Sequence, residues 1–370
     1  MPKILVIGGA GDIGQGVVRD LFENSQNTII IADYNAEKAK RVASNYSSSR
    51  VTSEFVDVND LGQTIDLLGG CDVVVNCSGP FYKLAHKVLN AAIRVGVDYL
   101  DVCDDPDATE RLLSMDRMAR EAGITAVVGM GWTPGLSNIL AKRIVEEHPD
   151  VSGLDIHWVG STADAEGAAV VKHVLHVIQS PCWAYHGGEW VEVAPLTGHR
   201  EVVFPEPIGK QRAYYVGHPE PLTLPRFLKG VRDVDLRGVL LPPEVNSLGE
   251  LFAKLGFIDT PEKIDVLAEV LRASLPLLSK LGEKGAIPLS GVRVDGYVGE
   301  GVGKRVVASL ACVDSMQRIT GIPASVGTLT LLGSGVHEGG VLPPEGAFRD
   351  TKRFLDELAM RDVQIEVMAG

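Results

Sequence analysis

The first third of the chain alternates between short apolar runs and longer segments in which apolar side chains recur every three or four positions. The runs predict buried strands, and the periodic segments predict helices that cover them. Such alternation is typical of a doubly wound parallel sheet with helices on both faces. The predicted strands are residues 3–7, 28–32, 50–56, 71–76, 97–102 and 124–128, and the predicted helices include residues 37–45, 61–68, 84–95, 108–122 and 136–147.

The pattern changes near Val151, where a second domain is predicted. Its sheet is expected to be mainly antiparallel, because two late strands are joined through a glycine-rich turn into a hairpin. We therefore predict an α/β protein with a second α+β domain, divided at residues 1–132, 133–338 and 339–370. The predicted strands are residues 153–159, 209–220, 293–297 and 305–313, with a loop at 218–225, and the predicted helices lie at 167–179, within 242–286 and at 320–333.

A glycine-rich turn follows the first predicted strand and opens a helix. It reads Gly9-Ala-Gly-Asp-Ile-Gly14, which has the Gly-x-Gly-x-x-Gly spacing of dinucleotide-binding Rossmann domains. Gly9 permits the tight turn, Gly11 lets the backbone approach a pyrophosphate, and Gly14 lets the helix pack closely on the strand. The pyrophosphate would lie at the helix N-terminus, beside Asp12 and Ile13. We therefore predict a Rossmann domain whose turn binds a nicotinamide dinucleotide.

Asp33 ends the second predicted strand, nineteen positions after Gly14. An acidic side chain there accepts hydrogen bonds from the adenosine ribose, and it repels a 2′-phosphate. The sequence therefore favours NAD over NADP, although Lys38 and Arg41 lie nearby and keep NADP possible. The alternative is that Asp33 only caps the following helix.

Ligands on doubly wound sheets bind beyond the carboxyl ends of the strands. One loop at that edge, residues 76–83, offers small polar groups. We expect Asn76, Ser78, Gly79 and Pro80 to contact the cofactor near its nicotinamide ribose.

Two further loops at this edge carry candidate chemistry. Asp101 and Asp104 follow the fifth strand, and clustered carboxylates raise one another's pKa values, which suits a general base. They fit equally well as N-caps of helix 108–122. Residues 129–135 precede helix 136–147, whose N-terminus we expect to be open to a carboxylate or a cofactor amide.

Histidines are concentrated in the second domain. Imidazole changes its charge near neutral pH, so His176 and His218 are predicted to exchange protons. Lys210 and Arg212 share one face of a strand and suit a substrate carboxylate, with a solvent-exposed strand as the alternative. No His-Glu-x-x-His motif occurs, and we expect no metal.

Composition narrows the class of protein. The chain has 370 residues, a formal net charge of −13 and five scattered cysteines without a Cys-x-x-Cys pair. The charge disfavours a nucleic-acid partner, and the cysteines favour a reducing compartment. No apolar run reaches the roughly 20 residues of a membrane span. We expect a cytoplasmic enzyme of small molecules, with no membrane or nucleic-acid partner.

Several of these segments together resemble the saccharopine dehydrogenase family. The resemblance implies a nicotinamide-dependent oxidoreductase that acts on a carbon–nitrogen bond of an amino-acid derivative, with lysine, saccharopine or carboxynorspermidine as typical substrates. It also implies that Lys83, Cys103 and Trp132 contact the substrate and that residues 339–370 return to the first domain. The mainly antiparallel sheet of the second domain, a form often used for dimer faces, predicts a homodimer. The segments that carry the resemblance are the glycine turn and residues 75–81, 99–105, 129–138 and 339–358.

Other functions stay open. A non-catalytic NAD-binding regulator would need no base. An alcohol dehydrogenase of the short-chain type would need Tyr-x-x-x-Lys, and Tyr34 and Lys38 have that spacing at the adenosine end of the site. An aldehyde dehydrogenase would need an activated thiol at Cys77 or Cys103.

Overall fold

A computed structural model describes residues 1–164, 173, 175–176, 182–246, 251–252, 255–257, 260, 262–263, 266–270, 288–299, 301–337 and 339–368. The chain forms two compact units. The first unit comprises Met1–Ile139 and Gln317–Val363, and the second comprises Leu140–Met316 and Gln364–Gly370. Residues 317–338, which the sequence placed in the second domain, therefore group with the first unit.

The helices and strands are numbered in chain order. The strands are β1 Lys3–Ile7, β2 Thr28–Asp33, β3 Val51–Phe55, β4 Val73–Asn76, β5 Asp98–Asp101, β6 Thr125–Val127, β7 Gly153–Ser161, β8 Cys182–His186, β9 Glu189–Val193, β10 Arg200–Val203, β11 Lys210–Tyr215, β12 Asp233–Leu241, β13 Ser290–Val298, β14 Arg305–Asp314, β15 Gly340–Leu342 and β16 Glu366–Val367. The described helices are α1 Asp12–Asn24, α2 Ala36–Ser44, α3 Leu61–Leu68, α4 Phe81–Val95, α5 Pro106–Leu113, α6 Asp116–Glu121, α7 Leu136–Glu147, α8 Glu220–Phe227, α9 Met316–Leu332, α10 Pro344–Ala347 and α11 Thr351–Ala359.

The first unit is built on a seven-stranded parallel sheet in the order β3-β2-β1-β4-β5-β6-β15. Its central strands read as continuous apolar runs because helices cover both faces, and β1 and β4 are almost entirely buried. β15 adds to the sheet beside β6, so the C-terminal segment returns to this unit. The predicted Rossmann sheet is confirmed, and so is the return of the C-terminal segment as far as Val363, whereas Gln364–Gly370 belong to the second unit.

The second unit contains a nine-stranded sheet in which seven strands follow the order β10-β11-β12-β7-β13-β14-β16. β8 pairs with β12 and with β9. Only β7 and β12 run parallel, and the other pairs are antiparallel. The mainly antiparallel sheet and the β13–β14 hairpin are therefore confirmed, whereas the sequence analysis missed β8, β9, β10, β12 and β16.

Two predicted elements were wrong. The helix predicted at 108–122 is two helices, α5 and α6, and the break lets the carboxylate of Asp116 accept a 2.9 Å hydrogen bond from the backbone of Val341 in β15. The loop predicted at 218–225 contains the start of α8. Proline is tolerated in the first turn of a helix, because the N–H that it lacks would have no intrahelical partner there. The predicted helices at 167–179 and within 242–286 lie mostly outside the described residues. Within the described part of the chain, every helix is too short or too polar to cross a bilayer.

Candidate functional site

The glycine turn (residues 8–14) lies where the strand order of the first sheet reverses, between β1 and β4. Gly8 has φ +73°, and a Cβ there would lie 2.8 Å from the carbonyl oxygen of Cys77, which follows β4. A Cβ at Gly9 would lie 2.8 Å from the carbonyl oxygen of Val6. The left-handed residue is thus Gly8, which the sequence analysis did not name, although the Gly8-Gly9 pair was a signal for it.

Helix α1 begins directly behind this turn. A Cβ at Gly14 would overlap the carbonyl oxygen of Gly8, so only glycine allows the helix to approach the turn this closely. Gly11 is the N-cap, and no side chain caps the helix. The first-turn amides are therefore available to an anion, and the residues present fit the pyrophosphate of a dinucleotide. Gln317 fixes the edge of the turn by donating to the backbone and side-chain oxygens of Asp12 at 3.0 and 2.8 Å.

Asp33 lies half-buried at the carboxyl end of β2. Its Oδ2 accepts a 3.2 Å hydrogen bond from the amide of Ala10 in the glycine turn, and its Oδ1 accepts a 2.9 Å bond from Asn35. The carboxylate is therefore fixed beside the turn, at the position where a Rossmann domain holds the adenosine ribose. Helix α2 is capped by Asn35 instead, so the alternative that Asp33 caps it is wrong.

A buried chain of hydrogen bonds joins the loops that follow β4, β5 and β6. Ser78 donates to Oδ1 of Asn76 through its hydroxyl and its amide, and Nδ2 of Asn76 donates to the hydroxyl of Tyr99 at 3.2 Å. Tyr99 in turn donates to Oδ2 of Asp101 at 2.6 Å. Asp101 also accepts from the amides of Cys103 and Gly129, at 3.1 and 2.7 Å. The edge of the sheet that faces the predicted nicotinamide is thus fixed by side chains.

Asp101 is the centre of this chain of hydrogen bonds. It has no exposed surface, and burial raises the pKa of its carboxyl to about 6, against the opposing effect of the three hydrogen bonds it accepts. Those bonds bind it to Tyr99 and to two backbone amides of its own unit. Its position therefore suits the support of the loops, and its role as a base stays a prediction.

The two thiols near this edge are held protonated. Burial, together with Asp101, raises the pKa of Cys77 to about 12. Burial and the carboxylates of Asp101, Asp105 and Asp104 raise the pKa of Cys103 well above its ordinary value. A thiolate nucleophile needs the opposite environment, so the geometry disfavours a thiol-dependent aldehyde dehydrogenase.

The remaining predicted residues of the first unit lie at the same sheet edge. Asp105 accepts a 2.9 Å hydrogen bond from the amide of Tyr82 and thereby caps α4, whereas Asp104 is half-buried beside it. Lys83 lies in the first turn of α4, with its Nζ 5.5 Å from the centre of the Tyr82 ring. Trp132 is half-buried in the loop that follows β6.

The N-terminus of α7, which was expected to be open, is closed. Oδ1 of Asn138 accepts from the amide of Gly135 at 2.9 Å, and the carbonyl oxygens of Gly131 and Trp132 accept from the next two amides. Asn138 in turn donates to Oε2 of the buried Glu345 in α10. The expectation that this helix end holds a carboxylate or a cofactor amide is therefore wrong, because its donors are already used.

In the second unit, His218 lies in a buried cluster. It precedes α8 and is 4% exposed, and its Nδ1 lies 3.6 Å from Oε2 of Glu220, which has no exposed surface. The rings of Trp158 and His173 each lie 5.4 Å from its ring, centre to centre. His176 is half-buried three residues after His173. Glu220 was missed because it lay in a segment that was interpreted as a loop.

Lys210 and Arg212 lie on the exposed side of β11. Lys210 forms a 2.7 Å ion pair with Glu201, and a guanidinium nitrogen of Arg212 lies 2.7 Å from Nε2 of His199. These partners come from β10 or from the residues just before it. Both side chains are solvent-exposed, as the alternative interpretation of this strand predicted. That they bind substrate stays a prediction.

One face of the second sheet carries a buried ionic network that the sequence analysis missed. Asp155 pairs with Arg200, and Asp235 pairs with Arg237 and accepts a 2.9 Å hydrogen bond from Tyr215. Polar side chains at alternate positions of β7, β12 and β13 were the available signal.

The first unit thus has the fold and the glycine turn of a dinucleotide-binding oxidoreductase domain. Residues 4–127 match the family model of the saccharopine dehydrogenase NADP binding domain. This match and the relatives that follow confirm the predicted resemblance to the saccharopine dehydrogenase family.

Three known proteins illustrate the similarity. The chain is 24% identical to carboxyaminopropylagmatine dehydrogenase of Synechocystis sp., over 93% of this chain and 92% of that protein. It is 25% identical to carboxynorspermidine synthase of Vibrio cholerae, over 60% of each chain. The solved structure of saccharopine dehydrogenase (L-Glu forming) from Saccharomyces cerevisiae aligns over the whole of both chains with a TM-score of 0.70 at 14% identity, which shows the shared fold. The predicted class, a nicotinamide-dependent oxidoreductase, is confirmed.

Proposed function

We propose that this protein is a nicotinamide-dependent dehydrogenase acting on the carbon–nitrogen bond of a carboxylated amine derived from an amino acid. The observation that carries the proposal is the similarity to carboxyaminopropylagmatine dehydrogenase, which extends over 93% of the chain and therefore over both units. The net charge of −13 supports it, because an acidic protein attracts cationic amines.

The cofactor is proposed to bind across the glycine turn and the loop that follows β4, with NAD preferred over NADP. The fixed carboxylate of Asp33 supports NAD, because a 2′-phosphate would meet a negative charge there. The matched family domain is named for NADP, so a direct comparison of the two dissociation constants is the measurement that decides.

The chain must also supply a base. A bound nicotinamide accepts or supplies hydride at the carbon attached to nitrogen. The amine has to be neutral before its lone pair can form the C=N bond, so a side chain must take the ammonium proton. Asp101, Asp104, His176 and His218 are the proposed candidates. Asp101 is already bonded to its own loops, whereas His218 has a carboxylate beside one ring nitrogen, which favours His218.

The test is a turnover screen that follows nicotinamide absorbance with both cofactors. The amines are carboxyaminopropylagmatine, carboxynorspermidine, saccharopine and lysine, each also assayed in reverse as the amine plus its oxo partner. We expect turnover with a carboxylated secondary amine and none with simple alcohols or aldehydes. Gly14→Ala is the reference variant with weakened cofactor binding, and Gly62→Ala in α3, where a Cβ meets nothing closer than 3.4 Å, is the matched control.

Each other outcome identifies an alternative. Tight cofactor binding without turnover of any of these amines would indicate a non-catalytic NAD-binding regulator. Turnover restricted to an alcohol or an aldehyde would indicate a dehydrogenase of a different substrate class.

A further inference from the structure

The carboxylate of Glu220 has no exposed surface. Burying an ionised carboxylate without a compensating charge or hydrogen bond is strongly unfavourable. Glu220 is the first residue of α8, where the helix dipole favours negative charge. Its Oε2 also lies 3.6 Å from Nδ1 of His218, two residues before it. The carboxylate is therefore placed to interact with this imidazole.

His218 is fixed on its other sides by ring contacts. The ring of Trp158 lies 5.4 Å away at 44°, and the ring of His173 lies 5.4 Å away and nearly perpendicular. Trp158 is itself fixed, because it lies across Gly238 of the neighbouring strand so closely that a Cβ at Gly238 would overlap the indole. The aromatic contacts and the neighbouring carboxylate of Glu220 together restrict the orientation of the imidazole.

Among the residues that the structure describes, no group accepts a hydrogen bond from Nδ1 of His218 within 3.5 Å. The carboxylate of Glu220 lies just beyond that distance, at 3.6 Å. In a neutral imidazole one nitrogen carries the proton and the other accepts, and a carboxylate beside Nδ1 favours the proton there. Nε2 is then the nitrogen with a free lone pair.

We propose that Glu220 is a positioning residue that holds the proton of neutral His218 on Nδ1, so that Nε2 of His218 takes the proton of the substrate ammonium. In that step the N–H bond of the substrate breaks, its electron pair stays on the substrate nitrogen, and the proton bonds to Nε2. This inference rests on the proposed function for the identity of the substrate. The relation between a carboxylate and an imidazole that it orients is known from other enzymes, where removal of the carboxylate lowers the rate greatly.

The first test does not require turnover. Protein with ¹⁵N-labelled histidine is examined by NMR at a pH where His218 is neutral, and His218→Asn assigns its signals. We expect the Nδ1–H form in the wild type and a shift toward the Nε2–H form in Glu220→Gln, which removes the charge and keeps the shape. Glu189→Gln, an exposed substitution in the same unit, should leave the signals unchanged. The same tautomer in the wild type and in Glu220→Gln would overturn the proposal.

The second test is kinetic and uses the best amine from the turnover screen. We expect kcat to fall roughly 10²- to 10⁴-fold in His218→Asn and roughly 10- to 10²-fold in Glu220→Gln, with the cofactor dissociation constant unchanged. Because Glu220 acts through His218, adding Glu220→Gln to His218→Asn should cause little further loss. Losses that multiply in the double variant would contradict the positioning role.

Two controls distinguish a failure of this inference from a loss of folding and from a failure of the proposed function. Thermal unfolding of each variant identifies a general loss of folding, and Glu220→Asp then serves as the second variant, which should restore the wild-type tautomer. If the wild type turns over no carbon–nitrogen substrate, the proposed function fails, whereas the NMR experiment still decides whether Glu220 sets the proton position on His218.

Discussion

The hydroxyl of Tyr99 donates a 2.6 Å hydrogen bond to Oδ2 of Asp101, and neither residue has any exposed surface. Both belong to β5, two positions apart, so their side chains leave the same face of the sheet. The same hydroxyl accepts from Asn76 of β4. One phenol thus connects two strands at the edge where the cofactor is proposed to bind.

Removing that phenol should destabilise the protein. Tyr99→Phe keeps the ring but leaves the amide of Asn76 and one carboxylate oxygen of Asp101 without this partner. Unsatisfied buried polar groups cost about 1–3 kcal/mol, and we expect a loss of that size in urea unfolding. Tyr34→Phe is the control, because Tyr34 is 72% exposed. Equal stability of the two variants would show that the hydrogen-bond chain contributes nothing.

The carboxyl of Asp101 should make stability depend on pH. Burial raises its pKa to about 6 in the folded protein, above the ordinary value of 3.8. The folded state therefore binds more protons than the unfolded state between these two values, so this contribution to stability falls as the pH rises through that window. The loss is about 3 kcal/mol across the window, with little change above about pH 7.

Asp101→Asn tests this dependence. We expect the unfolding free energy of the wild type to fall relative to that of the variant as the pH rises from about 4 to about 6. Asp66→Asn changes an exposed carboxylate of the same unit, and its unfolding free energy should depend on pH as that of the wild type does. A constant difference between the wild type and Asp101→Asn over this range would show that Asp101 does not titrate there.

The glycine turn should tolerate no side chain at Gly14. A Cβ there overlaps the carbonyl oxygen of Gly8 and lies 2.6 Å from the Cα of Gly9, so the turn or the helix must shift. Overpacking of this kind costs about 1–3 kcal/mol, and we expect Gly14→Ala to weaken cofactor binding roughly 10- to 100-fold. Titration of the reduced cofactor by fluorescence measures this, with Gly62→Ala as the control that should bind normally. Normal binding by Gly14→Ala would place the pyrophosphate elsewhere.

The parts of this molecule that could be predicted from sequence are those with local causes. The central parallel strands β1, β2 and β4 are buried on both faces and read as apolar runs, and the conformation of the glycine turn depends on its own backbone. The missed strands β9 Glu189–Val193 and β10 Arg200–Val203 are largely exposed and carry polar side chains, so their apolar residues show no clear period. The role of Glu220 depends on its burial against His218, which no local pattern of residues records.

The last prediction concerns the choice between the two cofactors at Asp33. Asp33→Asn keeps an oxygen that can accept from Ala10 or Asn35 but removes the charge that would face a 2′-phosphate. At about 4 Å such a repulsion is worth about 1–4 kcal/mol, so the ratio of the NADP to the NAD dissociation constant should fall roughly tenfold or more. Asp66→Asn makes the same change of net charge away from the turn and should leave the ratio as it is. An unchanged ratio in Asp33→Asn would mean that the carboxylate does not face the ribose, and that its two hydrogen bonds to the backbone are its whole role.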